Sequence, residues 1–415
     1  MKKKIVALSV LCVAVIFVGA VFLLPLFSVD GKVEGSGGLD PELVPGAYVE
    51  PREVEPVELT ILCTGDVMAH KTQLDAQKQA DGTYDFTDNF QYIKPYVEAA
   101  DVAICNLETT FGQAPYTGYP AFSSPDELAA NLKATGFDMI ATANNHMLDK
   151  GLSGAMRTLE VLRANGFAVS GSVTESTDPR YAIYEAKGVK VGLVSYTYQN
   201  TTNDRRVSIN GNVVSSDTAA HINSFNYAFL DEELAKINET VKACRAAGAQ
   251  IVVMFYHWGE EYQLSANKWQ LDIAQKTIDR MDVDVIFGSH PHVLQQAAMV
   301  SPTVTGGARH TVPVFYSLGN CISNQRAETL NNKYTEEGVL ARAIITIKPD
   351  TGEVTCVDMN AIPTWVDRYK SGGRTHYAII PLDDNLDANP TLAESGHLSR
   401  AKDAKEAARG ILGIN

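Results

Sequence analysis

From about Val57 onward, short apolar runs alternate with amphipathic stretches. Leu59 to Cys63, Asp101 to Cys105 and Phe137 to Thr142 are brief and mostly apolar, which predicts buried strands. Asp126 to Thr135 has helical spacing after Ser124-Pro125, a helix-start pair, and Gly151 to Asn165 is a second amphipathic helix closed by Gly166. Tyr181 to Tyr198 predicts a β-hairpin turning at Lys187-Gly188. Gln199 to about Asn226 is polar and aperiodic, the pattern of a surface insertion. Alternation resumes with helix Asp231 to Ala247, strand Ile251 to Tyr256, helix Asn267 to Met281 and strand Val283 to Phe287. Later β segments follow at Val312 to Tyr316, Gly338 to Ile347 and Glu353 to Met359. Beyond about Leu382 strand character ends, and Leu398 to Ile411 predicts one peripheral helix. The predicted class is α/β, with a mixed β-sheet core covered by helices.

The chain before Val57 is different. Lys2, Lys3 and Lys4 precede an uncharged, mostly apolar run from Ile5 to Phe27. At ~1.5 Å per residue that run can cross a hydrocarbon core of ~30 Å. It is longer than the ~7–15 apolar residues of a cleaved signal, and no small-x-small site follows. The lysines belong on the cytoplasmic side. The expectation is an N-terminal transmembrane signal-anchor over 1–27, with the bulk of the chain extracytoplasmic; cleaved or lipid-processed secretion is the alternative. Residues 28–56, rich in Gly, Pro and acidic residues, read as a flexible linker. The main domain is expected over 57–385 and a C-terminal peripheral segment over 386–415.

A net charge of −14 argues against nucleic acid as partner, since phosphate binding needs a basic surface. It does not exclude a polyanion, because bound cations can dominate one cleft. Cys12 lies in the expected anchor, which leaves five other cysteines and no C-x-x-C. A disulfide framework or thiolate metal site is therefore not expected. Cys63 and Cys105 fall inside apolar runs, where buried free thiols are expected.

Six polar clusters close or follow the predicted strands: Gly65 to His70, Asn106 to Glu108, Asn144 to Asp149, His257 to Glu261, His290 to His292, and Ser317 to Asn320. In an α/β sheet such loops converge on one crevice. Their Asp, Glu, Asn and His side chains form the oxygen and imidazole set that suits divalent metals. Asp66 ends a strand in a Gly-Asp turn, where it is either a ligand or a helix cap. His70, four residues on, approaches Asp66 only if the chain turns helical there, and is an open candidate. Glu108 is placed to bridge two metals, and Asn106 to orient that carboxylate. Asn145 can ligate through its amide oxygen. His146 can face the substrate with Asp149 accepting its imidazole N–H, the arrangement of a general acid. His257 follows a strand. His290 and His292 flank Pro291 and, in an extended segment, would share a face. Trp258 is expected in the core, and Glu260 and Glu261 as solvated charges. His221, His310, His376 and His397 lack such context. No Gly-x-Ser-x-Gly elbow or Walker loop is present.

Over most of residues 59–325 these motifs resemble the CapA family, capsule-synthesis proteins associated with poly-γ-glutamate. The residues that carry the resemblance are Gly65-Asp66-Val67-Met68, Asn106-Leu107-Glu108, Asn144-Asn145-His146 with Asp149 and Gly151, His257-Trp258-Gly259 with Glu261-Tyr262, Gly288 to His292 with Gln295, and Tyr316 to Asn320. The family's domain is similar to calcineurin-like metallophosphoesterases, which implies a layered α/β/β/α fold. The resemblance implies two divalent ions (Mn, Fe or Zn). Asp66 and His292 would hold one ion, Asn145, His257 and His290 the other, and Glu108 would bridge them. His146 would assist the leaving group, with Asn106 and Asn320 in support. Two departures stand out: Cys321 replaces a common aromatic, and His70 is displaced from the Asp-x-His spacing. Implied partners are poly-γ-glutamate or another envelope polymer and membrane capsule-synthesis proteins. Three functions compete: a metal-dependent hydrolase of capsule production, a non-catalytic polymer-binding or export component, and an envelope phosphoesterase unrelated to capsule.

Overall fold

Alternate residues of the same strand serve two different cores, and this sets the layering. In β1 (Val57–Val67), Leu59, Ile61 and Cys63 face one apolar core while Leu62 and Val67 face another. In β2 (Val102–Leu107), Ile104 faces the first core and Ala103, Cys105 and Leu107 the second. Strands buried on both faces read as continuous apolar runs, the pattern seen in the sequence. The computed structural model describes residues 54–414. The expected anchor (1–27) and linker positions 28–53 lie outside the described residues. Among the described residues no helix is long and apolar enough to cross a membrane.

The first sheet continues through β3 (Met139–Ala141) and β4 (Ala168–Ser170), all parallel to β1. The second sheet begins with the hairpin β5 (Ala182–Ala186) and β6 (Val189–Tyr198), whose turn residues Lys187 and Gly188 take φ of 49° and 75°. Both are the left-handed values that tight hairpin turns require. A small hairpin, β7 (Ser208–Ile209) and β8 (Asn212–Val213), stands apart, and β9 (Ser224–Phe225) pairs with β6. The polar insertion is thus not wholly on the surface: its last residues join the sheet and Phe225 is fully buried.

β10 (Ile251–His257) and β11 (Val285–Ser289) run parallel to β6. β12 (Ala297–Val300) and β13 (Val312–Phe315) complete that sheet, and β14 (Asn320–Ile322) crosses to pair with β1. β15 (Glu337–Lys348), β16 (Glu353–Ser371) and β17 (Arg374–Pro381) then extend the first sheet antiparallel on the other side of β1.

Ile104, Val253, Phe255 and Phe287 meet between the two sheets. Helices Glu127–Thr135 and Gly151–Ala164 cover the outside of the first sheet through Leu128, Leu132 and Leu159. Helices Leu230–Ala246 and Lys268–Arg280 cover the second through Leu234, Ile237 and Ile273. The result is a mixed α/β fold in four layers. Helix Lys268–Arg280 begins with a capping box: Asn267 Oδ1 accepts the N–H groups of Trp269 and Gln270, and Gln270 Oε1 accepts that of Asn267.

The third late strand outruns its expected end at Met359 by twelve residues' worth of ladder, reaching Ser371, and β17 was not expected at all. Pro363 and its polar neighbours break the alternation in sequence. The strand persists because Val366 packs into the helix-covered core while Trp365 packs into a fourth cluster with Ile380, Leu392 and Ala401. Helix Leu398–Leu412 buries Ala401, Ala404, Ala408 and Leu412.

Where β1 ends, a side chain has no room. A Cβ on Gly65 would sit 1.9 Å from the Gly319 carbonyl oxygen, because β1 passes directly against the chain entering β14. Gly65→Ala should cost at least about 1–3 kcal/mol through forced backbone shifts. Urea unfolding of the variant against the parent chain checks this.

Candidate metal centre

The carboxyl ends of both sheets meet along one edge of the sandwich. Asp66 lies near the end of β1, Asn106 near the end of β2 just before Leu107, Glu108 just past that strand, and Asn144 to His146 follow β3. From the other sheet come His257, the last residue of β10, and His290 and His292 beyond β11. Asp66, Asn106, Glu108 and His257 are fully buried, and Asn145, His146, His290 and His292 nearly so.

A hydrogen-bonded row of side chains forms the floor. Asn144 Nδ2 donates to Asn106 Oδ1 at 3.1 Å, and Asn106 Nδ2 donates to Asp66 Oδ1 at 2.7 Å and to Glu108 Oε2 at 3.3 Å. Ser289 Oγ also donates to Asp66. His292 Nδ1 lies 3.0 Å from Asp66 Oδ2 and 3.1 Å from Asn320 Oδ1, while Asn320 Nδ2 donates to the Thr335 carbonyl at 2.9 Å. Asn106 therefore touches both carboxylates, and Asn320 orients the His292 ring.

Above this floor, His257 Nε2 lies 2.9 Å from Asn145 Oδ1. Glu108 Oε1 stands between two histidines of the second sheet, 3.8 Å from His257 Nε2 and 3.7 Å from His292 Nε2. The His257 and His290 ring centroids are 4.8 Å apart, and Tyr198 packs 4.7 Å from His290. Donor atoms within 4.8 Å of one another fall into two trios, Asp66 with Glu108 and His257, and His290 with His292 and Glu261. The resemblance implied a different pairing and gave Glu261 no ligand role.

These residues fit divalent metal on a structural ground. Glu108 Oε1 and the Nδ1 atoms of His257 and His290 are buried without a hydrogen-bond partner. Buried polar atoms are normally paired, and orphans in a ring of oxygen and imidazole donors suit a cation.

Electrostatics agree. Burial pushes the Glu108 carboxyl well up, and the charge of Asp66 adds to that. Burial would also raise Asp66, yet the hydrogen bond and charge of His292, with His257 and Ser289, hold it well below the usual carboxylate range. Burial lowers His257 to about 3 and takes His290 well down, aided by the neighbouring imidazoles. Burial would lower His292 too, but the Asp66 carboxylate turns its shift upward. The imidazoles of His257 and His290 are thus neutral, the form that ligates metal.

His146 stands at the rim with Nδ1 2.8 Å from Asp149 Oδ2, and the same Asp149 oxygen accepts the Phe122 N–H at 2.7 Å. The Phe122 ring packs edge-on against His146 at 4.8 Å. A cavity of about 340 Å³ opens beside Asn145 and Asp149, lined also by Leu148, Asn210 and Asn212. His70 joins neither trio. Its Nδ1 lies 3.2 Å from Gln73 Oε1 and 3.2 Å from the Asn324 N–H, and burial lowers it to about 4. Trp258 is core, with Nε1 donating to the Tyr316 carbonyl. Cys321 is buried in β14.

One expectation is corrected in its reason. His290 and His292 are not in an extended segment; their φ values are 101° and 56°. Both rings reach the site from left-handed backbone around Pro291, a conformation costly for residues with a Cβ and characteristic of functional sites. Glu261, expected only as a solvated charge, approaches both histidines, which a glutamate in a polar loop does not signal by periodicity.

The chain matches the family model described as "Bacterial capsule synthesis protein PGA_cap" over residues 60–325. It is similar to "Capsule biosynthesis protein CapA" of Bacillus anthracis, 27% identical over 286 residues that cover 67% of this chain and 62% of that protein. "PGA biosynthesis protein CapA" of Bacillus subtilis is 28% identical over 276 residues, 63% of this chain and 62% of the relative. The matches thus span less than two thirds of either relative. Among solved structures, the calcineurin-like phosphoesterase YfkN from Bacillus subtilis covers 85% of this chain and 99% of its own at 17% identity and a TM-score of 0.41.

The lowered His257 value has a measurable consequence. Its folded value, about 3, lies below the ordinary ~6.5 of an unfolded histidine, so below that pH the unfolded chain binds the extra proton. Its contribution to stability is present above pH ~6.5 and is lost as pH falls. In metal-stripped protein, the drop in unfolding free energy between pH 6.5 and 5 should be smaller in His257→Gln than in the parent by roughly 1.5–2 kcal/mol. Denaturant melts at the two pH values read it directly.

Proposed function

Because the chain belongs to the bacterial capsule synthesis PGA_cap family, we propose that it is a membrane-anchored, extracytoplasmic protein of poly-γ-glutamate capsule production with a dinuclear metal hydrolase site. Its chemistry is phosphoesterase-like, and its substrate is a bond in the capsule polymer, a precursor or a carrier. The anchor is the run from Ile5 to Phe27, with Lys2 to Lys4 on the cytoplasmic side. Its partners are the envelope polymer and membrane capsule-synthesis proteins.

One observation carries the catalytic reading. The metal-competent cluster is accompanied at its rim by an imidazole oriented by its own carboxylate, His146 against Asp149. A purely structural metal needs no such pair. In this reading Asp66, Glu108, Asn145, His257, His290 and His292 would together hold the two ions. Bound divalent ions supply Lewis-acid polarisation of the scissile group and neutralise its developing charge. Asp149 holds a proton on His146 Nδ1, leaving Nε2 to pass a proton to the departing oxygen. Asn106 and Asn320 keep Glu108, Asp66 and His292 in register.

The protein should carry about two Mn, Fe or Zn ions when purified without chelator. Glu108→Ala should empty or unbalance that pair, and should lower thermal stability because bound metal favours the folded state. His146→Ala should keep metal content and folding but lose about 10²–10⁴-fold in turnover. Elemental analysis, thermal melts and phosphoester hydrolysis separate the two, with surface poly-γ-glutamate in a deletion strain as the cellular readout. If His146→Ala sustains full polymer production while Glu108→Ala abolishes it, the site is a metal-held scaffold for a binding or export protein, and the hydrolase reading is wrong.

A further inference from the structure

Glu261 is exposed, whereas His290 and His292 beside it are 4% and 1% exposed. Its carboxylate nonetheless comes within 4.8 Å of a ring nitrogen of each. An ordinary solvated glutamate needs no help to reach water, yet the backbone carrying this one is fixed on both sides. Gly259, at φ 86°, donates its N–H to Tyr227 Oη at 3.1 Å. Its missing side chain leaves room for the Gln270 amide, whose carbon would lie 2.7 Å from a Cβ. Tyr262, at φ 66°, donates its N–H to the Pro291 carbonyl at 2.8 Å. That bond ties the residue after Glu261 to the residue between the two histidines. Tyr262, His290 and His292 are all held at positive φ, a cost that persists only where the surroundings impose it.

We propose that Glu261 is the solvent-side ligand of the metal held at His290 and His292, and that an incoming anionic group displaces it. The proposal rests on the two-metal reading above. Charge supports it: the buried donors include two carboxylates, Asp66 and Glu108, against the four positive charges of two dications. A third carboxylate brings the site nearer neutrality. Of the three donors at this end, Glu261 is the one facing solvent, so it can leave without dragging a buried charge through the protein.

The test is calorimetric titration of Mn²⁺ into metal-stripped full-length protein, its Glu261→Gln variant and a Glu260→Gln control. Outer-sphere partners alone are worth about 10–100-fold in metal affinity, so losing a direct ligand should weaken one of the two binding events by about tenfold or more. Glu260→Gln should titrate like the parent. Equal metal-free melting temperatures of the parent and Glu261→Gln show that the fold is intact, and Glu261→Asp, which keeps the charge, should recover part of the affinity. At saturating Mn²⁺, inorganic phosphate should bind Glu261→Gln more tightly than the parent, since no carboxylate has to be displaced. Unchanged Mn²⁺ affinities in Glu261→Gln overturn the ligand role, and unchanged or weaker phosphate binding overturns the displacement. A parent chain that takes up no Mn²⁺ overturns the two-metal reading itself. One that takes up two, with Glu261→Gln indistinguishable from it, leaves that reading standing and sinks this one.

Discussion

Glu108, from the first sheet, is fully buried with one carboxylate oxygen unpartnered, between two histidines contributed by the second. An unpaired charge in such a place costs several kcal/mol. Either a proton or a cation must remove that cost, and the neighbours are arranged for the cation. His257 and His290 are held neutral by burial, Asp66 is held ionised by His292, and the side-chain amide NH2 of Asn106 donates to both carboxylates. A protonated Glu108 would satisfy its own charge but would leave the imidazole atoms orphaned.

Meeting that requirement constrains the sandwich. Glu108 and Asp66 come from the first sheet, His257, His290 and His292 from the second, so the two sheets must end level with each other. The inter-sheet core of Ile104, Val253, Phe255 and Phe287 sets their separation, and burying each such side chain is worth about 1.5–3 kcal/mol. Close backbone passages set the level. Gly65 lies against Gly319, and a Cβ on Gly288 would sit 2.2 Å from the Tyr316 carbonyl oxygen and 2.4 Å from the Trp258 indole nitrogen. The glycines in these motifs admit the neighbouring backbone, and the residues next to them carry the chemistry.

Much of this was legible in one dimension. The alternation of apolar runs and amphipathic helices gave the mixed α/β class, because a strand buried on both faces has to be apolar throughout. Asp66, Glu108, Asn145, His146, His257, His290 and His292 stood out because each follows such a run. Other features left no local trace. Pro363 ended the pattern of a strand that its two flanking cores nevertheless sustain, and Phe225 joined the sheet from a stretch that looked wholly polar.

The sequence by itself determined where along the chain the polar clusters follow apolar runs, the donor chemistry they offer and, through joint spacing, the family. Tertiary structure alone decided which donors are near which, since that depends on the offset of two sheets and on backbone with positive φ at His290 and His292. It set His70 against Gln73 and Asn324, outside the clusters, and brought Glu261 to the histidines. The physical reason is range. Periodicity reports how one residue relates to those a few positions away, whereas a metal site is fixed by distances of a few ångströms between residues as far apart in sequence as Asp66 and His292.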